Sequence, residues 1–279
     1  MIAARRDGVP LCWLSRPSGS PATVPTTSGC GSYRQKFETF SVWNSPSLDS
    51  WPCMWFASDP NKREMVLSLF DDITRTFGNL PYMQEAQASV LRNLILEEDA
   101  RNILEIGFFH GKSSAYIAAI LEDRGSGKLV TIDQMTARHH QPDINTVLTK
   151  AGLSGRVDAV FAERSYTWEL QRMISRSPRP VFDLCYFDGG HQWDNTGFGV
   201  LLVDMLLRPG GIIVFDDMNW SMATSSYHKR NPRKSLGFSE DERQAQTVRR
   251  VWETIMPHLG YSLEREVTEI GWGVARKKR

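Results

Sequence analysis

The chain lacks the features that usually assign a sequence to a class at a glance. Its four cysteines, Cys12, Cys30, Cys53 and Cys185, form no CxxC pair and are too sparse for a disulfide framework. That argues against a structural zinc site and for a reducing cytoplasm. No charge of one sign dominates: 33 Lys+Arg stand against 32 Asp+Glu, a formal net charge of +1. Such balance offers no electrostatic footprint for nucleic acid or an anionic membrane surface. The longest apolar runs are strand-sized, so no transmembrane helix is expected. The opening stretch, MIAARRDGVPLCWLSRPSGS, has arginines but no continuous hydrophobic region, which is unlike a secretory signal and leaves a transit peptide as the targeting alternative.

What is present divides unevenly. Residues 1–60 are rich in Ser, Pro, Thr and Gly, and the first 30 or so are expected to be disordered. Trp43, Trp51, Trp55 and Phe56 then suggest a segment that docks on the body of the protein or on a second subunit, hence a homodimer or higher homo-oligomer. From residue 61 to 279 the pattern is that of one α/β domain. Met65, Val66, Leu69, Phe70, Ile73 and Phe77 share a helical face, and a second helix is expected over 84–98. Four apolar strands follow the first strand-turn-helix unit, RNILEIGFFHGKSSAYIAAILEDRG, and are KLVTID, RVDAVF, VFDLCYFD and PGGIIVFDD. Helices are expected between them near 141–152, 166–176 and 195–207.

Strands that are apolar on both faces and alternate with helices indicate a doubly wound parallel sheet covered on both sides. Pro209-Gly210-Gly211 reads as a tight turn leading into the last of them. SEDE at 239–242 predicts a capping box, and Val248, Val251, Trp252, Ile255 and Met256 a helical stripe. The last stretch, YSLEREVTEIGWGVARK, predicts an antiparallel strand pair at the sheet edge.

In such sheets ligands bind beyond the carboxyl ends of the strands, at the topological switch point. The first strand ends in Glu105, Gly107, Gly111, Ser113 and Ser114, where glycines let a ligand approach the backbone and the next helix offers free N–H groups. This is not the GxGxxG of dinucleotide sites, and alone it would read equally well as a tight turn. The second strand ends at Asp133, placed to accept ribose hydroxyls, and the third leads to Glu163 and Ser165, either of which suits an adenine edge.

LEIGFFHGKSS, VTID, FDLCYFDGGH and LRPGGIIVFDD, in this order, resemble the class I S-adenosylmethionine-dependent methyltransferases over roughly residues 80–276. The resemblance implies a seven-stranded Rossmann-like sheet whose last strand is antiparallel. It further implies S-adenosylmethionine as cofactor, with Glu105, Gly107, Gly111 and Ser113 around its methionine part, Asp133 on its ribose and Ser165 near its adenine.

Three acids end adjacent strands: Asp188, and the pair Asp216 and Asp217. Singly, each reads as a helix cap. Together they would repel one another unless a cation sat among them, and hard oxygen donors suit Mg²⁺. This order and spacing resemble the metal-dependent O-methyltransferases, in which the position three residues after the first acid holds the catalytic base. Here that residue is His191. The DGxH form with a later acidic pair is closer to the macrolide-sugar and antibiotic-tailoring branch than to the catechol branch, where Lys and Asp-Asn are usual. Trp193 and Trp220 flank the acids as candidate walls for a ring, and the polar segment 218–238 reads as a substrate lid.

The expected activity is therefore metal-dependent O-methylation of a small hydroxylated natural product. Two alternatives stand beside it. A nucleic-acid methyltransferase would use the basic stretch HKRNPRK at 228–234, but the chain has no Asn/Asp-Pro-Pro-aromatic motif after its fourth strand. A cofactor-binding partner subunit without catalysis is opposed by the intact acids.

Overall fold

The computed structural model describes residues 68–278. The expected N-terminal extension with its aromatics, and Met65 and Val66, lie outside those residues. Within them the chain alternates as the pattern required. The strands are β1 Asn102–Ile106, β2 Lys128–Gln134, β3 Val157–Ala162, β4 Phe182–Phe187, β5 Leu207–Phe215, β6 Tyr261–Val267 and β7 Trp272–Lys277. The helices that matter here are α1 Ser68–Phe77, α2 Glu85–Glu97, α3 Lys112–Asp123, α4 Ile144–Ala151, α5 Tyr166–Ile174 and α6 Trp193–Asp204.

One seven-stranded sheet results, in the order β3-β2-β1-β4-β5-β7-β6. β1 to β5 pair in parallel, β7 runs antiparallel to β5, and β6 returns antiparallel to β7. The C-terminal pair is thus the expected one. Alternate side chains feed two cores. Ile103, Leu184, Tyr186, Ile212 and Val214 pack under α1 to α4, while Leu104, Cys185, Phe187, Ile213 and Phe215 pack under α5, α6 and the C-terminal helical segment. A strand covered on both faces is apolar on both of them, which is why these runs show no regular polar alternation.

Three expectations changed in detail. Pro209-Gly210-Gly211 lies inside β5: Leu207 pairs with Phe182, and the next rung joins Leu184 to Ile212, so the intervening residues form an irregularity within the strand. The stripe at 248–256 is helical but widens into a π turn at Val251–Ile255 between Thr247–Arg250 and Met256–His258. Pro257 has no N–H to give to the carbonyl four residues back, and its ring crowds that carbonyl, so the helix opens before it. Of the box at 239–242, Ser239 does cap its helix, accepting from the Glu242 N–H at 3.4 Å. The 218–238 segment contains the short helix α7 Ser226–Arg230 and a 3₁₀ turn at Pro232–Ser235.

No helix of the described residues is long and apolar enough to cross a membrane. The antiparallel edge is tied back to the body by Arg276 on β7. Its guanidinium forks onto both carboxylate oxygens of Glu98, each at 2.6 Å, and also reaches Glu264 on β6. Replacing it, Arg276→Gln, is expected to cost about 1–2 kcal/mol in chemical denaturation, between the value of an exposed ion pair and that of a half-buried charged hydrogen bond. No change in the far-ultraviolet spectrum should accompany the loss.

Candidate active site

The chain runs from β1 outward to β3, then returns to the other flank of β1 as β4. At that reversal the carboxyl ends of β1 and β4 face the same crevice. The ladder continues one rung beyond each strand: Gly107 N–H donates to Ile132 O at 2.8 Å, Asp188 N–H to Ile106 O at 2.9 Å, and Asp216 N–H to Phe187 O at 3.1 Å. Gly107, Asp188 and Asp216 are therefore fixed by the sheet itself. Gly107 takes φ +89, and a β-carbon there would overlap the carbonyl oxygen of Asp188. Gly111, at φ +86, likewise has Ile144 where a side chain would go, and it opens α3.

Above these ends lies a cleft of about 1850 Å³. Of the expected cofactor residues, Gly107, Ser113, Asp133 and Ser165 line it, with Phe109, Lys112 and Glu163. Asp133 braces the glycine loop, since one carboxylate oxygen accepts from the N–H groups of Phe108 at 2.9 Å and Phe109 at 2.7 Å. Ser165 caps α5, accepting from Thr167 N–H at 3.2 Å. Glu105 is fully buried behind the loop. One of its oxygens accepts from the hydroxyls of Ser114 and of Thr131, the latter at 2.6 Å, while Oε1 has no protein partner. Burial pushes its carboxyl up to about 7, against the downward pull of the Ser113, Ser114 and Thr131 hydroxyls. A buried carboxylate oxygen left without a partner is costly to the fold, and this one lies behind the glycine loop.

At the other end of the cleft the acids gather, though not as three equals. Donor atoms of Asp188, His191 and Asp217 lie within 4.8 Å of one another. His191 Nε2 stands 2.6 Å from Asp217 Oδ2, its ring is stacked on Trp220 at 4.9 Å, and its backbone carbonyl accepts from the Thr247 hydroxyl. Asp216 lines the same cleft but is held otherwise: it accepts from the Tyr186 hydroxyl and, at 2.6 Å, from the Asp217 N–H. Burial pushes Asp188 well above the usual carboxylate range, reinforced by the charges of Asp216 and then Asp217. Asp216 is pushed up to about 6 by burial and then by Asp217. Asp217 sits at φ 56, a left-handed conformation that Asp tolerates better than most residues.

A divalent cation fits here: the carboxylates of Asp188 and Asp217 converge where like charges oppose one another, with the His191 imidazole beside them. Of the two tryptophans, Trp220 lines the cleft and Trp193 is not among the lining residues. Ser225, Ser226, Tyr227 and His228 of the 218–238 segment also line it. Sequence reasoning passed over Tyr186 and Lys112. The signal for Tyr186 was the two-residue period, which puts it on the same side of β4 as Asp188.

The sheet order, the glycine cradle and the acid cluster together define a methyltransferase fold of class I. Residues 104–218 match the family described as a methyltransferase domain. Among curated proteins, probable caffeoyl-CoA O-methyltransferase 2 of Dictyostelium discoideum is 26% identical over 159 residues, 56% of this chain and 63% of that protein. Tapetum-specific methyltransferase 1 of Arabidopsis thaliana is 25% identical over 165 residues, 58% and 66% of the two chains. The matches thus span less than two thirds of these relatives' length. Of solved structures, an O-methyltransferase from Bacillus cereus in complex with SAH shares the fold at TM-score 0.56 and 23% identity, covering 81% of this chain and 94% of its own. The O-methyltransferase TomG of Streptomyces achromogenes, involved in tomaymycin synthesis and solved with SAM, gives 0.50 and 24%, covering 77% and 90%.

A carboxyl raised by burial makes the folded state bind its proton more tightly than the unfolded chain does. Its stabilising effect is full below the unfolded value near 4.5 and is lost as pH rises through about 7. Glu105→Gln should therefore melt with a flatter profile than the parent between pH 5 and 8, approaching or exceeding it at the alkaline end. Parallel melting curves across that range would contradict the assignment.

Proposed function

We propose that the protein is an S-adenosylmethionine-dependent O-methyltransferase that methylates a hydroxyl of a small natural product with the help of a divalent cation. The observation that carries this reading is a single continuous cleft. It has the glycine loop from Gly107 to Ser113 with Asp133 at one end and Asp188, His191 and Asp217 at the other.

Bound S-adenosylmethionine would supply an electrophilic methyl group on a sulfonium, and the cation would lower the pKa of a substrate hydroxyl. The remaining tasks fall to the chain. Glu105 Oε1 and the loop from Gly107 to Ser113 would hold the methionine part, Asp133 the ribose and Ser165 the adenine side. Asp188 and Asp217 would hold the cation, with Asp216 beside them, kept in place by Tyr186. Asp217 fixes one imidazole nitrogen of His191, Nε2, in a carboxylate–imidazole pair. A proton at Nε2 directed to Asp217 leaves the lone pair on Nδ1, and there His191 would take the hydroxyl proton. Trp220, stacked on the imidazole, keeps that ring oriented and offers a flat wall to the acceptor. Alignment is the protein's main contribution to such a transfer.

The domain's fold neighbours include methyltransferases solved with SAH or SAM, which supports the choice of cofactor. The resemblance to proteins named for O-methylation supports the choice of acceptor atom. The decisive experiment is methyl transfer from labelled S-adenosylmethionine to a panel of small hydroxylated compounds, with and without chelator. Activity should vanish in chelator and return on adding Mg²⁺ or Mn²⁺. His191→Ala should lower kcat by about 100-fold or more while cofactor affinity is kept, the range typical of a lost general base. Full activity in chelator would remove the metal from the mechanism, and undiminished turnover by His191→Ala would remove the base.

A further inference from the structure

Lys112 lies in the glycine loop, but its side chain has been given no task so far; at 4% exposure it is the one lysine or arginine among the described residues that is buried. Its ammonium donates to three backbone carbonyls: Leu80 at 2.9 Å, Gly78 at 3.0 Å and Tyr82 at 3.5 Å. These carbonyls follow the C-terminus of α1, where unpaired acceptors and the negative end of the helix dipole favour a cation. The lysine is also the first residue of α3, between Gly111 and the cleft-lining Ser113. One side chain thus joins the glycine loop to the strap at 78–83.

The strap reaches the cleft. Pro81, Tyr82 and Met83 line it on the same side as Phe109, Lys112 and Ser113. Tyr82 meets Phe109 edge-on at 5.0 Å, and the two hold left-handed backbone at φ 62 and φ 49. Bulky side chains adopt that conformation only where their surroundings impose it, and such positions gather at ligand clamps. Tyr82 is nevertheless 68% exposed, so its own packing does not hold it there. Its carbonyl, with those of Gly78 and Leu80 before it, faces the Lys112 ammonium.

We propose that Lys112 is a positioning residue for the cofactor: it fastens the 78–83 strap across the glycine end of the cleft, so that strap and loop retain the bound cofactor together. This rests on the reading that the cleft takes S-adenosylmethionine. A lysine that only braced the fold would affect stability alone, whereas a clasp sets how fast the ligand leaves.

The test uses the full chain and S-adenosylhomocysteine as the probe, followed by stopped-flow release and by calorimetry. Lys112→Met is expected to release the probe about tenfold faster, the equivalent of a charged hydrogen bond to the strap. KM for S-adenosylmethionine should rise in step, while kcat at saturation stays within about twofold. Lys112→Arg, which keeps donors at the site, should recover part of the retention. Tyr82→Ala removes the exposed end of the strap without touching a buried group, and it should show the same fast release even if Lys112→Met fails to fold. Release at the parent rate by both Lys112→Met and Tyr82→Ala, with or without a lowered Tm, would make Lys112 a structural brace and overturn the clasp. If the unmodified chain binds no S-adenosylhomocysteine, the cofactor reading itself falls, and the clasp with it.

Discussion

Everything in the cleft depends on how closely β1 and β4 approach at their carboxyl ends. A β-carbon at residue 107 would occupy the space of the Asp188 carbonyl oxygen, so the two strand ends can meet only across a glycine. That contact brings the glycine loop, which belongs to one half of the sheet, against the acid that begins the other half. It also lets both ends be fixed by ladder bonds, Gly107 to Ile132 and Asp188 to Ile106. Sites on such rigid rungs hold their geometry because moving one residue means breaking the sheet.

The second constraint is electrostatic. Asp188, Asp216 and Asp217 crowd together, and burial raises the cost of charging Asp188 and Asp216. The fold divides the load. Tyr186 takes Asp216, His191 takes Asp217, and Asp188 stays between them with its charge least relieved by protein partners. A cluster of acids kept so close, with donors assigned to only two of them, carries uncompensated negative charge, and the proposed cation would answer it. The same imidazole that answers Asp217 is braced by Trp220 and by the Thr247 hydroxyl on its backbone, so it is a positioned group and not a free surface histidine.

The two ends of the cleft use opposite strategies. At the acid end, charges are placed where the ladder ends and are balanced locally. At the glycine end the backbone is bent to admit a ligand, and a buried lysine and a buried glutamate stand behind it, Lys112 on the strap and Glu105 under the loop. Neither is paired with an opposite charge: Lys112 is satisfied by carbonyls, and Glu105 keeps one oxygen unsatisfied. Buried groups left in that state are costly to a fold.

Much of this was written in the chain. Doubly apolar strands alternating with helices determined a parallel sheet covered on both faces, because a strand packed on both sides is apolar at most of its positions. The order of motifs also placed the glycine loop, Asp133, Asp188, the acidic pair and His191 at strand ends, and the C-terminal run determined the antiparallel edge. Tertiary structure alone decided how those residues share their work. Tyr186 draws Asp216 aside, His191 rather than Asp216 joins Asp188 and Asp217, and Lys112 reaches back some thirty residues to the end of α1. The π turn before Pro257 and the irregularity in β5 belong to the same group. Periodicity reports which face of an element is buried, and that is settled locally. Which donor finds which acceptor depends on side chains from distant elements meeting at one point, and no local pattern records it.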